Sequence, residues 1–500
     1  MAGTRSDGGD TMDILAYLMG KKAGGGGSSV TVEALTATEN KVYTAPSGKA
    51  YSPVTVNVSQ GGGSVAASDV NFYDYDGIIV YSYSASDFAN LSALPANPSH
   101  EGLTAQGWNW TLADAKTYVA AYGMLNIGQM YITTDGKTRV YIHLEEGRTS
   151  PMLGVCPAGT VDVDWGDGTT HDTLTGTSTS EVQWTPNHTY AAPGDYVIKL
   201  TVTGSMGFYG NSSYNQYCGL LRYSSSGDTR NAVYQNAIQA LFIGSGVTSI
   251  GSCAFKYCHS LSIITLPSSV TSIGSDAFHS CNNLSSIVLP SGVTSIGEYA
   301  FGNCARLSSI TIPSSVTSIG GYVFYACYSL SSITIPSGVT NIDSFTFNNC
   351  YNLLSVSIPS SVTSINNSAF YGCANLSSIV LPNGVTNILN SVFQYCSSLF
   401  SIVLPSSIKI IGDNTFQYCS GLSSITVPTS VTSIGSNTYN GCSGLSEIHF
   451  NPTNPPSVYN SNAFSGIPTD CKIYVPTGRL SAYTSANNYP SSSTYTYVEE

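Results

Sequence analysis

From about Ile238 to Cys471 one phrase is written ten times over. Cysteine marks its period: Cys258, Cys281, Cys304, Cys327, Cys350, Cys373, Cys396, Cys419 and Cys442 each lie 23 residues apart. Around them the same residues return, so that Val270, Ile273, Phe278, Cys281, Leu284, Ile287 and Pro290 become Val293, Ile296, Phe301, Cys304, Leu307, Ile310 and Pro313 one unit later. A repeat of this length is one supersecondary unit that cannot bury its apolar face alone, so the units must stack into a solenoid. Stacking sets like over like and predicts continuous inner ladders of Val, Ile, Phe, Cys and Leu. Strands about 4.8 Å apart over ten coils predict a rod of roughly 50 Å.

The line Leu-x-x-Ile-x-Leu/Ile-Pro, as in Leu307 to Pro313, reads as a leucine-rich-repeat strand. Proline ends each strand because it has no N–H to donate. With Val-Thr-Ser-Ile-Gly, Ala-Phe and Cys before the next Leu, the full unit resembles the BspA-type leucine-rich repeat family over nearly half the chain. That resemblance implies a surface-exposed, non-enzymatic binding scaffold, in some members an adhesin. Stacked cysteines at the strand spacing of ~4.8 Å stand farther apart than the ~3.8 Å between Cβ atoms of a disulfide. Zinc spacing such as Cys-x-x-Cys is absent from the sequence, so the ladder reads as buried thiols packed as small apolar groups. Cys156, Cys218, Cys253 and Cys471 stand outside it and leave a bridge among themselves open.

Composition narrows the partners. Only 9% of residues are charged and the net charge is −12, which excludes a phosphate-binding basic patch and hence nucleic acid. No run reaches the ~18 apolar residues of a membrane span. Ile14 to Met19 is too short for a signal-peptide core, and Tyr497 to Glu500 is no hydrophobic anchor. Those features are expected of a virion component assembled in the cytoplasm.

The fold expected is mainly β and multidomain. Residues 1–29 form a short helix and Gly-rich linker for attachment; 30–64 form a small β segment and a second linker. Residues 65–147 form a mixed α/β unit, with strands in Phe72 to Tyr83, a helix over Thr111 to Tyr122 and a hairpin over Tyr131 to Ile142 turning at Asp135-Gly136. Residues 148–204 form a β-sandwich, 205–237 an irregular connector, 238–466 the solenoid of 23-residue units and 467–500 a C-terminal cap. The phrases Val161 to Thr169, His188-Thr-Tyr190 and Pro193 to Val202 resemble a PKD domain, which implies an immunoglobulin-type sandwich used as a spacer or interaction module. Thr38 to Val58 and Ser99 to Trp110 look like segments of phage or prophage tail-associated proteins of gut bacteria.

Several groups imitate active sites. Asp74-Tyr-Asp-Gly77 resembles the phosphatase motif of the haloacid dehalogenases but lacks the βαβ succession that chemistry requires. His100-Glu101 and His143-Leu-Glu145 lack metal-ligand company. Asp164, Asp167 and Asp195 are explained better by turns than by calcium. Trp108 and Trp110 pack against the following helix more readily than they stack a sugar. No cofactor or metal is called for, and the scattered acids of the repeats offer no paired carboxylates for glycan hydrolysis.

Recurrence separates frame from display. The outward strand positions are small (Ser286, Val288, Ser309, Thr311, Ser378, Val380), and a flat Ser/Thr ladder makes a poor hot spot. The variable positions lie between each Ile and the next Leu. The candidate contacts there are Tyr257, His279, Tyr299, Arg306, Tyr322, Tyr325, Tyr328, Phe345, Asn348, Tyr351, Tyr371, Tyr395 and Tyr418. Such side chains on a rigid frame suit adaptable recognition. The leading expectation is a tail-associated receptor-binding protein of a phage or prophage. In it the N-terminus joins other virion proteins, trimerisation is an option, and the solenoid recognises a bacterial surface glycan or protein. The alternative is a BspA-like bacterial cell-surface adhesin facing host matrix or other microbes.

Overall fold

The computed structural model describes residues 69–73, 79–99, 103–108, 112–122, 125–210, 220–222 and 236–500. The attachment helix, the strands of 30–64, both glycine linkers, Asp74 to Gly77, His100-Glu101, Trp110 and Cys218 lie outside them.

The first sheet takes strands β1 (Val70–Tyr73), β2 (Ile79–Tyr83), β3 (Leu103–Trp108) and β4 (Leu125–Thr133) in the order β2-β1-β4-β3. The helix Leu112–Tyr122 turns Ala115 and Val119 onto it, as its apolar spacing predicts. Trp108 is buried there, edge-on to Phe72 at 4.8 Å, and its Nε1 donates to the Pro95 carbonyl at 2.8 Å. It packs, and is not open to a sugar.

The hairpin expected over Tyr131 to Ile142 does not form. β4 pairs with β1 and β3, whereas β5 (Thr138–Leu144) leaves at Asp135-Gly136 for a different sheet. Gly136 takes φ 70°, and Asp135 is held by Arg139 at 2.7 Å. Burial decides the matter: Val140, Ile142 and Leu144 belong to the core of the next layer. That layer contains β6 (Met152–Asp164), β7 (Asp172–Thr177), β8 (Gln183–Trp184), β9 (Gly194–Phe208) and β10 (Leu221–Arg222), with β6 pairing antiparallel to each of the others. Trp165 stacks on His188 at 4.4 Å, and the Tyr190 hydroxyl donates to the Trp165 carbonyl at 3.0 Å. Asp164 accepts from the Gly166 N–H, Asp167 from Thr169, and Asp195 bonds His143. The three carboxylates have separate partners.

This layer is no detached spacer. β11 (Ile238–Phe242) pairs antiparallel with β5, and β12 (Val247–Ile250) pairs parallel with β9. One strand, β5 or β9, therefore begins each sheet of the solenoid. Residues 205–208, expected to be irregular, are the end of β9, and Phe208 packs on Phe255 at 5.2 Å.

Each solenoid coil has three sides. The first is the expected strand; Ser286–Val288 lies in register on Ser309–Thr311. The second is a shorter strand in the Val-Thr-Ser-Ile phrase, with Ser295–Ile296 on Ser318–Ile319. The third is a turn side, where alternate N–H groups donate to the next coil: Asp276 to Glu298 (2.8 Å), Phe278 to Ala300 (2.8 Å) and Ser280 to Gly302 (2.7 Å). Two residues per coil, such as Asp276 (φ 56°) and Ser280 (φ 61°), are left-handed, which turns the intervening side chains inward.

Inside, the phenylalanines form the predicted ladder. Phe278 stacks on Phe301 at 5.3 Å, Phe301 on Phe324 at 5.8 Å and Phe324 on Phe347 at 5.6 Å. The ladder thiols are buried and unpaired, and each from Cys281 to Cys442 donates to a phenylalanine carbonyl, as Cys304 Sγ does to Phe278 at 3.2 Å. Burial pushes these thiols far above their ordinary pKa. They act as small apolar groups with one weak donor each.

Candidate binding surface

The display positions lie on the turn side. Tyr299, Tyr322 and Phe345 hold the first left-handed position of three successive coils, at φ 55°, 56° and 60°. In other coils that position is Cys253, Asp276, Ser368, Ser391, Asn414 or Asn437. The left-handed region crowds a Cβ, and Asn and Asp tolerate it best. Three bulky rings occupy it nonetheless, stacked at 4.3 and 4.5 Å, closer than the rings of the inner ladder.

Around them the candidates gather into one strip. Tyr325 packs 5.9 Å from Tyr322 and 6.3 Å from Tyr299. Tyr328 stacks on Tyr351 at 5.2 Å, Tyr371 meets Tyr395 edge-on at 5.3 Å, and Tyr395 stacks on Tyr418 at 5.0 Å. At the amino end Tyr257 lies 5.8 Å from His279, which lies 5.5 Å from Tyr299. From Tyr257 to Tyr418 the strip is roughly 35 Å long at one strand spacing per coil.

The strip is uncharged over most of its length. Burial and the neighbouring Tyr322 push Tyr299 up to about 12. Burial, then nearby phenols, raises Tyr328, Tyr351 and Tyr371 as well, so all stay protonated at neutral pH. Charge collects at the amino end, where Lys256 meets Asp276 at 2.9 Å and Asp276 lies 3.4 Å from His279. Burial lowers the pKa of His279 and favours its neutral form. Arg306 is exposed.

Asn348 departs from the expectation. It is only 5% exposed and so is no contact residue. It shares its position in the repeat with Tyr325 and Tyr371, and a short side chain between two tyrosines is withdrawn from solvent. Tyr351, Tyr395 and Tyr418 are the most open of the tyrosines in the strip.

The strand side holds a feature that the flat Ser/Thr reading missed. Ser285, Ser308, Ser331, Ser377, Ser423 and Ser446 share one position, and hydroxyls there donate to the carbonyl one coil back, as Ser308 does to Ser285 at 3.1 Å. In two coils the residue is Leu354 or Phe400, and Phe400 is 62% exposed. Val380 and Val403, paired in register, are 77% and 76% exposed. The signal was two breaks in an otherwise uniform serine column.

Residues 229–354 and 340–469 match the BspA type leucine rich repeat region, in six copies. The solenoid is of the leucine-rich-repeat type. The chain is similar to a leucine-rich repeat protein from Bacteroides ovatus at 24% identity, with 68% of this chain and 98% of that one covered and a TM-score of 0.33. It is similar to the T. pallidum leucine rich repeat protein at 29% identity, with 37% and 84% covered and a TM-score of 0.31. A third likeness is to a leucine rich cell surface protein from Faecalibacterium prausnitzii at 22% identity, with 58% and 97% covered and a TM-score of 0.28. No curated protein matches the chain. Among the described residues no helix is long and apolar enough to cross a membrane, and no group of His, Cys, Asp or Glu is placed to hold a metal.

Proposed function

We propose that the chain is a non-catalytic recognition and adhesion protein of a cell surface, binding its partner along the aromatic strip of its leucine-rich-repeat solenoid. The observation that carries this reading is the gathering of the variable positions. Residues scattered through the sequence, in four different positions of the repeat, meet as one aromatic band on a rigid frame. Tyrosine supplies large contact area at low conformational cost, and Tyr and Arg dominate binding hot spots.

The match to the BspA type leucine rich repeat region supports a surface adhesin, the alternative expectation, over a virion part. The partner is a bacterial or host surface protein or glycan. The test is staining of gut bacteria, and of immobilised matrix proteins, with the labelled full chain. Replacing Tyr322, Tyr325 and Tyr328 with Ser abolishes staining and preserves cooperative unfolding if the strip is the site. Equal staining by that variant and the parent refutes the reading.

A further inference from the structure

The aromatic strip contains a step. Phe345 stacks on Tyr322 at 4.5 Å and Tyr351 stacks on Tyr328 at 5.2 Å, the latter pair within 5° of parallel. Both stacks stop at the same coil. One repeat later their positions hold Ser368 and Ala374, so among the described residues no ring follows on the far face of either. Between those two small residues the next coil carries Tyr371, whose carbonyl accepts from the Asn349 N–H at 2.7 Å. Two ring faces therefore end at one level beside a third tyrosine.

The other stack on this side ends differently. Tyr418 is followed by Gly441, where an added Cβ would stand 2.5 Å from the Tyr418 ring, so the backbone itself closes that face. Phe345 moreover sits in the left-handed region, at a position that Asp, Asn or Ser fills in five of the other coils and Tyr or Cys in three. Local conformational preference does not explain a phenylalanine there, and strain of this kind concentrates at binding sites.

We infer that the step formed by Phe345, Tyr351 and Tyr371 is a subsite for one pyranose ring of an uncharged polysaccharide. The inference rests on the proposed binding role of the strip and names its ligand class. A pyranose has a flat patch of C–H groups that stacks on an aromatic face, with hydroxyls at its rim for a phenol such as that of Tyr371. Segments 344–352 and 367–375, which build the step, contain no charged residue, so nothing there pairs a sulfate, phosphate or carboxylate. The coils advance by about 4.8 Å, close to the length of one sugar in an extended chain. A linear polymer thus meets the tyrosines on either side at a repeat close to that of the coils.

The experiment is calorimetric titration of the full chain with soluble neutral β-glucan, mannan and galactan, with hyaluronan and heparin as charged controls. The variants are Phe345→Asn, Tyr351→Ser and, as a surface tyrosine at the carboxyl end of the solenoid that is 79% exposed, Tyr459→Ser. Expected is binding to at least one neutral polymer, weakened on the order of tenfold or more by either step variant and unchanged by Tyr459→Ser. Phe345→Asn relieves the left-handed strain, so its thermal midpoint stays at or above that of the parent while binding falls. A midpoint lowered by several degrees marks Phe345 as a packing residue and overturns its assignment. Binding to the charged polymers alone, to none of the polymers, or equally by parent and step variants overturns the inference. If the chain still stains cells or matrix through Tyr322, Tyr325 and Tyr328 in that case, the broader reading stands; if that staining is lost too, both fall.

Discussion

Tyr439 occupies the phenylalanine position of its coil, and its hydroxyl is buried with no hydrogen-bond partner among the described residues. The ring lies flat between neighbours, 5.8 Å and 4° from Phe416 and 5.6 Å from Phe464. Burial pushes its phenol far above the ordinary range, so ionisation offers no escape. A buried polar group without a partner costs about 1–3 kcal/mol. Tyr439→Phe keeps the ring stack and removes that cost, so stability rises by about 1–2 kcal/mol, somewhat less than the full penalty because the void left by the oxygen loses contacts. The converse change, Phe416→Tyr, introduces an orphan hydroxyl one coil earlier and destabilises by a similar amount. Solenoids unfold locally from their ends as well as globally, so the assay is native-state hydrogen exchange beside urea unfolding. The Tyr439 amide, which donates to Ala463 at 2.7 Å, reports on this coil. Its exchange should slow about tenfold per 1.4 kcal/mol gained. Faster exchange in Tyr439→Phe would show that the hydroxyl has a partner and refute the reasoning.

Three further outcomes are expected. Gly159 (φ 136°) lies opposite Gly204 in the β6–β9 pair, and an added Cβ would stand 2.2 Å from the Thr203 carbonyl oxygen; Gly159→Ala therefore costs about 2 kcal/mol or more, read as a lower urea midpoint. The His143 pKa is raised by its hydrogen bond to Asp195, so that pair stabilises fully below pH ~6.5 and loses its contribution as pH rises through the elevated pKa. Both groups are partly exposed, so the Asp195→Asn difference is about 0.5 kcal/mol, present at pH 5.5 and gone by pH 9 in paired melts. A fragment starting at residue 205 lacks β5 and leaves the outer edge of β11 unpaired, so it should self-associate in light scattering whereas a fragment starting at residue 65 stays monodisperse.

The frame was legible because it repeats. A period of 23 residues fixes which positions face inward, and Val, Ile, Phe, Cys and Leu fill those positions again and again. The candidate contacts were legible by subtraction, as positions where the repeat varies. Their assembly was not, because it depends on which variable positions stack across coils, and Asn348 shows the limit of the method: variable, polar and yet covered. The Asp135-Gly136 turn misled for a related reason. An Asp-Gly between alternating strands signals a hairpin, but the local signal is silent about which sheet owns the apolar face of the second strand, and Val140, Ile142 and Leu144 were claimed by the layer that begins the solenoid.

That junction ties the layer of β5 and β9 to the solenoid. β5 and β9, themselves paired antiparallel, continue into the two solenoid sheets, so layer and solenoid share one hydrogen-bonded frame. The first coils need such a cover, because an open solenoid end exposes apolar side chains and unpaired strand edges. At the far end the cap does the same work with Tyr483 and Tyr489 packed on Phe450, and with Lys472–Val475 and Thr496–Glu499 closing the sheet. Both ends are consumed by the fold, and the turn side and the Leu354–Phe400 face remain as the places where this solenoid departs from its own repeat. Of the two, the turn side has residues held in strained backbone with parallel rings, which a merely unconstrained surface would not retain. The strip is the better candidate on that ground.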